Sequence, residues 1–159
     1  MTLKNYMKKT GVTKRKYVEE WLDKDLIPGV SKDTQTGEYV FPNSARRPYR
    51  PRLKPTANAT TIRASILNAC LKREYISCHI YNMSQGEFQS FINDLLNAEL
   101  IRERIEEGVT YYDSTPKSDA YRGKSIKAIR EFIIDCLGTV VEKAAYGATK
   151  ALCEKNPAA

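Results

Sequence analysis

The sequence holds one histidine, one tryptophan and four cysteines in 159 residues. A single imidazole excludes the metal centres that draw several ligands from histidine. Cys70, Cys78, Cys136 and Cys153 include no pair at the short spacing of a zinc knuckle. Cys78 and His79 are neighbours, so their side chains diverge in a helix or a strand and do not make a nucleophile–base pair. The cysteines read as small apolar fillers of a reduced, intracellular core. No Gly-rich phosphate loop, metal-binding His motif or Gly-x-Ser-x-Gly elbow occurs. Long apolar runs are missing too. The best, Phe132 to Val141, contains Asp135 and Gly138 and falls short of the roughly 18 residues of a spanning helix. The first residues carry Lys4, Lys8 and Lys9 and no apolar signal core. These absences predict a cytoplasmic protein that is not an enzyme. They also predict no metal, no cofactor, no membrane contact and no evident small-molecule ligand.

What is present is an uneven charge. Residues 1–55 contain 13 Lys+Arg against six Asp+Glu, a net of +7, while residues 56–159 contain 13 of each and are neutral. The first third of the chain should therefore attract a polyanion, and the remainder should not.

The amino-terminal pattern says how. Residues 2–9 can form a short helix burying Leu3, Tyr6 and Met7, broken at Thr10-Gly11, where glycine can take a left-handed turn. Thr13 is a natural N-cap for a second helix over about Lys14–Lys24, whose buried stripe is Val18, Trp21 and Leu22. Trp21 thus belongs to the core and not to the contact face. Leu26-Ile27-Pro28 leads into an extended segment, Asp33–Gly37 forms a turn, and Glu38–Pro42 alternates like a strand. Helix, glycine turn, helix and hairpin in this order describe a winged helix-turn-helix.

Gly11-Val12-Thr13, Val18-x-x-Trp21-Leu22, Leu26-Ile27-Pro28 and Tyr39-Val40-Phe41-Pro42 resemble the excisionase/MerR-like winged helix-turn-helix over residues 1–45. The resemblance implies a bacterial DNA-binding protein of the cytosol or nucleoid. Two departures stand out. The step from Val12 to Val18 is one residue longer than usual, which predicts an irregular start to the recognition helix. Asp25 stands where the family has glycine, a residue type that still tolerates left-handed backbone. The front of that helix, Thr13, Lys14, Arg15, Lys16, Tyr17 and Glu20, is expected in the major groove, with Arg or Lys reading guanine and Glu20 accepting from cytosine. Lys32, Thr34 and Gln35 are expected at the backbone.

Residues 46–58 form an arm or linker. Pro48, Pro51 and Pro55 prevent helix, and Arg46, Arg47, Tyr49, Arg50 and Arg52, followed by Lys54, line an extended segment suited to phosphates or a narrow minor groove.

From residue 59 the composition changes. Thr60 to about Glu74 carries Ile62, Ile66, Leu67, Cys70 and Leu71 at helical spacing, and Ile76–Met83 reads as a short strand or a helix-turn. Ser84-x-x-Glu87 signals a capping box before a helix that buries Phe88, Phe91, Ile92, Leu95 and Leu96. Arg102–Glu106 and Val109–Asp113 pair around Glu107-Gly108. Leu95-Leu96, Leu100-Ile101 and Gly108-x-x-Tyr111-Tyr112-Asp113-Ser114-Thr115-Pro116-Lys117 are similar to the last helix and wing of MarR/PadR-like winged helices, over residues 60–120. Ser114 and Ser118 replace that family's leucine and glycine. Glu87, Asp94, Glu106 and Glu107 make this second module a poor partner for phosphate, and it reads as a winged helix kept for protein contact. A last helix is expected from about Lys124 to Leu152, with an oligomerisation seam of Ile126, Ile129, Ile133, Leu137, Val140 and Ala144.

The sequence therefore predicts a mostly α protein with small β wings. It has a basic winged helix-turn-helix (1–45), an arm (46–58), and a neutral winged-helix-like domain with an oligomerisation helix (59–159). Its expected function is sequence-specific binding of double-stranded DNA, as a dimeric transcriptional regulator. An excisionase-like or plasmid-maintenance factor of a mobile element, arranging DNA, needs the same contacts. A module whose basic end binds an acidic protein partner is the third reading.

Overall fold

The computed structural model describes residues 1–138. Among these the chain is mostly α, with seven helices and two separate antiparallel hairpins. Helix α1 (Leu3–Thr10) begins at Thr2, whose hydroxyl accepts the Asn5 N–H at 3.1 Å. It ends at Gly11, left-handed at φ 75°, and this turn sends Val12 into the core. Helix α2 (Arg15–Asp23) corrects the expected cap. Its N-cap is Lys14, with no side-chain cap bond, and Thr13 is exposed in the extra residue of the turn. Asp25 takes the left-handed backbone expected of it, φ 56°.

Strands β1 (Ser31–Lys32) and β2 (Tyr39–Val40) pair with Lys32 opposite Tyr39. Their turn is tied by the Asp33 carboxylate, which accepts from Gln35 N at 2.8 Å and Thr36 N at 3.2 Å. Tyr6, Val12, Val18, Ile27, Phe41 and Ala45 form the first hydrophobic cluster, with Tyr6 stacked on Phe41 at 4.5 Å between ring centroids. Trp21 and Leu22 pack against it from the side, half-buried.

The second cluster is built around α3 (Ala59–Leu71), started by Asn58, which accepts from Thr61 N at 2.9 Å. Almost every side chain of α3 is buried, so it is a central helix and not an amphipathic one. The ambiguous stretch after it resolves into an isolated bridge at Tyr75 and a single helical turn, α4 (Cys78–Tyr81). Ser84 caps α5 (Gln85–Asn97), accepting the Glu87 N–H at 3.1 Å, and Phe88, Phe91, Ile92 and Leu95 are buried. Strands β3 (Ile101–Glu106) and β4 (Val109–Ser114) join through Glu107 (φ 51°) and Gly108 (φ 77°), the two left-handed residues of a tight hairpin. The short α6 (Pro116–Asp119) follows, then α7 (Ile126–Leu137), which packs on α3.

The continuous helix expected from Lys124 to Leu152 is not found. Gly138 leaves the helical region at φ 84°, ψ 146° and ends α7 at Leu137. Ile129 and Ile133 are fully buried in the second cluster, so their spacing serves packing within the chain and not a seam between copies. Leu137 also packs on that cluster, Ile126 is 40% exposed, and Val140 and Ala144 lie outside the described residues.

Candidate nucleic-acid interface

The helix expected to read bases presents an uncovered front. Lys14, Arg15, Lys16, Tyr17 and Glu20 are all exposed, as is Thr13 before them. Local pairs order these side chains. Arg15 binds Glu19 at 2.9 Å, Glu20 accepts from Lys24 at 2.8 Å, and the Lys16 ammonium lies 5.4 Å from the Tyr17 ring centroid. The hydrogen bond and charge of Lys24 hold the Glu20 carboxyl below its ordinary range, so Glu20 is an ionised acceptor. The exposed i,i+4 pairs contribute little to stability and can reopen toward a ligand. On the hairpin, Lys32, Thr34 and Gln35 are exposed, and Lys32 sits over the Tyr39 ring at 5.4 Å.

The arm divides. Arg46 turns inward, its Nη1 lying 2.7 Å from Asp113 Oδ1, with side chains only 13% and 7% exposed. Its guanidinium also covers the Tyr111 ring at 4.6 Å. Tyr49, expected between the arginines as a contact, is buried in the second cluster, and its hydroxyl accepts from Asn68 Nδ2 at 3.1 Å. Both are corrections: a buried carboxylate on β4 needs a cation, and a tyrosine beside a core helix finds apolar cover. Arg47, Arg50 and Arg52 stay exposed, as expected of ligands for a polyanion. Arg47 lies 5.8 Å from the Trp21 ring centroid, which places the arm beside α2.

Residues 43–49 also fasten the amino-terminal region to the rest. The Glu107 carboxylate accepts from Ser44 N at 2.9 Å and Asn43 N at 3.3 Å. The Arg47 carbonyl accepts from Tyr75 N at 2.8 Å, and the Tyr75 carbonyl accepts from Tyr49 N at 2.9 Å. Tyr6 donates its hydroxyl to the Arg46 carbonyl at 2.9 Å. Two of the acids that made the second module look hostile to phosphate therefore have internal duties. Glu107 holds the joint, and Asp94 pairs with the buried Arg63 at 2.7 Å.

Between α2, the arm and the end of α3 runs an open groove. Its walls bring together Lys9, Lys24, Arg47, Arg50 and Arg52 with Lys72, Arg73 and Lys124 from the second region, against two carboxylates, Glu20 and Glu74. The last three cations escaped the sequence reading, because residues scattered through a region of zero net charge leave no local signal. Among the described residues no cluster of three potential metal-ligating side chains occurs. Compared with known proteins, the chain matches no family model and no curated protein.

Proposed function

We propose that this protein binds double-stranded DNA sequence-specifically as a transcriptional regulator. Residues 1–45 act as a winged helix-turn-helix, and the region from residue 59 acts as a second winged-helix-like module that orients the first. The observation that carries this reading is the exposed basic front of α2 beside a hairpin bearing Lys32 and an arm bearing Arg47, Arg50 and Arg52. Exposed cations supply phosphate affinity, and a helix end of Arg, Lys and Glu supplies donors and an acceptor for base edges. The second hairpin is not a DNA wing in this reading, since its Glu107 is engaged with Asn43 and Ser44. A dimer belongs to the proposal, resting on Ile126 and the chain beyond Gly138 and not on Ile129 or Ile133. A DNA-arranging accessory role in a mobile element uses the same surface, and genomic neighbours distinguish the two.

Selection of bound duplexes from a random pool tests the function. A recurrent motif, repeated at a fixed half-site spacing, is expected; a pool that stays random after several rounds overturns sequence-specific binding. An acidic protein partner in place of DNA would appear as retention on a polyglutamate surface with no retention on duplex.

A further inference from the structure

We infer that the polyanion-binding face continues past the arm onto the second region, where Lys72, Arg73 and Lys124 contact phosphates of the same duplex. The inference rests on the DNA-binding reading above and extends its footprint.

Backbone hydrogen bonds place the two sets of cations side by side. Arg47 O accepts from Tyr75 N at 2.8 Å, so the arm runs next to the segment that follows Lys72 and Arg73. The loop of Lys124 is fixed to the same spot from the other side. Arg122 Nη1 donates to the Leu71 carbonyl, its Nη2 binds Ser114 Oγ and Asp119 Oδ1, both at 3.1 Å, and Lys124 N donates to Tyr121 O at 3.0 Å. Lys72, Arg73 and Lys124 are exposed and line the groove already bordered by Arg47, Arg50 and Arg52. None of the three appears in an ion pair among the described residues.

A cation at the C-terminal end of α3 is favoured by the helix dipole whatever its function. That accounts for Lys72, the helix's C-cap, and Arg73 just beyond it. It does not account for Lys124, or for the arm lying against the same end. Glu74 is the acid of the second region at this end of the groove. Burial raises its carboxyl pKa, while Lys72 and Arg47 pull it down, so it lies within the field of cations from both regions. The zero net charge of residues 56–159 hides this grouping: Lys72, Arg73, Arg122 and Lys124 line the groove, where Glu74 is the one acid contributed by that region.

The test is the salt dependence of full-chain binding to a 30-base-pair random-sequence duplex, comparing wild type with Lys72→Gln/Arg73→Asn/Lys124→Gln. Asn suits position 73, where φ is 55°. At about 0.9 per phosphate contact, the slope of log K against log salt should become shallower by roughly 2–3 units, with the selected motif unchanged. A control, Arg102→Ala/Lys127→Ala, removes exposed cations that do not line the groove and should leave the slope in place. If the triple variant melts early, the three single variants, each expected to remove about one unit, give the same readout. An unchanged slope in the groove variant, or an equal loss per charge in the control, overturns the extended footprint while leaving DNA binding intact. Wild type that fails to bind duplex even at low salt overturns both.

Discussion

In the first hairpin the turn faces solvent and the strand carries an exposed Lys32; in the second, Glu106 and Glu107 stand at the tip, and the flanking strand buries Asp113. Both are short antiparallel pairs closed by side-chain or backbone chemistry suited to a tight turn. What separates them is the sign of charge and where it points. The outward cation of β1 is free for a polyanion, whereas the carboxylates of the second hairpin grip residues 43–46 of the same chain. In the proposed reading, the charge of each hairpin decides whether it serves a ligand or a neighbouring region.

The comparison breaks most decisively at the buried pair. Arg46→Ala leaves Asp113 ionised and without its main partner, and such losses typically cost about 3–5 kcal/mol; urea unfolding should show it, and a loss under about 1 kcal/mol would make Arg46 an arm residue after all. The same pair is sensitive to acid. Burial alone would raise the Asp113 carboxyl, but the hydrogen bond and charge of Arg46, helped by Arg104, outweigh it and leave the pKa below the ordinary value. A carboxyl more acidic when folded contributes stability above its unfolded pKa of about 3.9, and that contribution disappears as pH falls through the folded value. The wild-type unfolding midpoint should therefore drop below about pH 4, and Arg46→Ala should lose much of that drop.

A smaller effect is expected at the turn. Glu107→Ala removes the acceptor of two backbone N–H groups; because Glu107 is exposed, about 1–2 kcal/mol is expected in place of the full value of a buried charged bond. The DNA contacts proposed for the first hairpin should be untouched, so the variant's salt slope should equal that of wild type wherever it is folded. Smallest of all, Lys32→Ala should leave stability within about 0.5 kcal/mol and reduce the salt slope by about 0.9 unit. Stability lost at Lys32 without any change in slope would reverse the assignments of the two hairpins.

Local chemistry was readable in the sequence. The Gly11 break, the left-handed Asp25, the Asp33 turn, the Ser84 cap and the Glu107-Gly108 reversal each depend on a few neighbouring residues, and all occur in the fold. Long-range partners were not readable. Arg46 looks like any arm arginine until Asp113, 67 residues on, claims it. Ile129 and Ile133 keep the spacing of an oligomerisation seam, and only the position of α3 shows that they face their own core. Thr13 has the chemistry of a cap but stands one residue ahead of the place where it could act. Of the candidate interface, the front of α2 was legible because it is contiguous. The groove wall from Lys72, Arg73 and Lys124 was not, because its parts meet only through the Tyr75 bridge and the Arg122 bond to Leu71.

The hydrogen bonds through Tyr75 convert what composition describes as a linker into a seam docked on the second region. Two modules on a flexible tether meet a ligand one after the other, and the second encounter depends on the effective concentration that the tether allows. Residues 43–49 leave no such tether to order, because their backbone is already committed to Glu107 and Tyr75. In the proposed complex, a duplex that meets α2 meets the end of α3 at a fixed distance and angle. Both faces then contribute without a second loss of orientational freedom, as in a preorganised bivalent ligand.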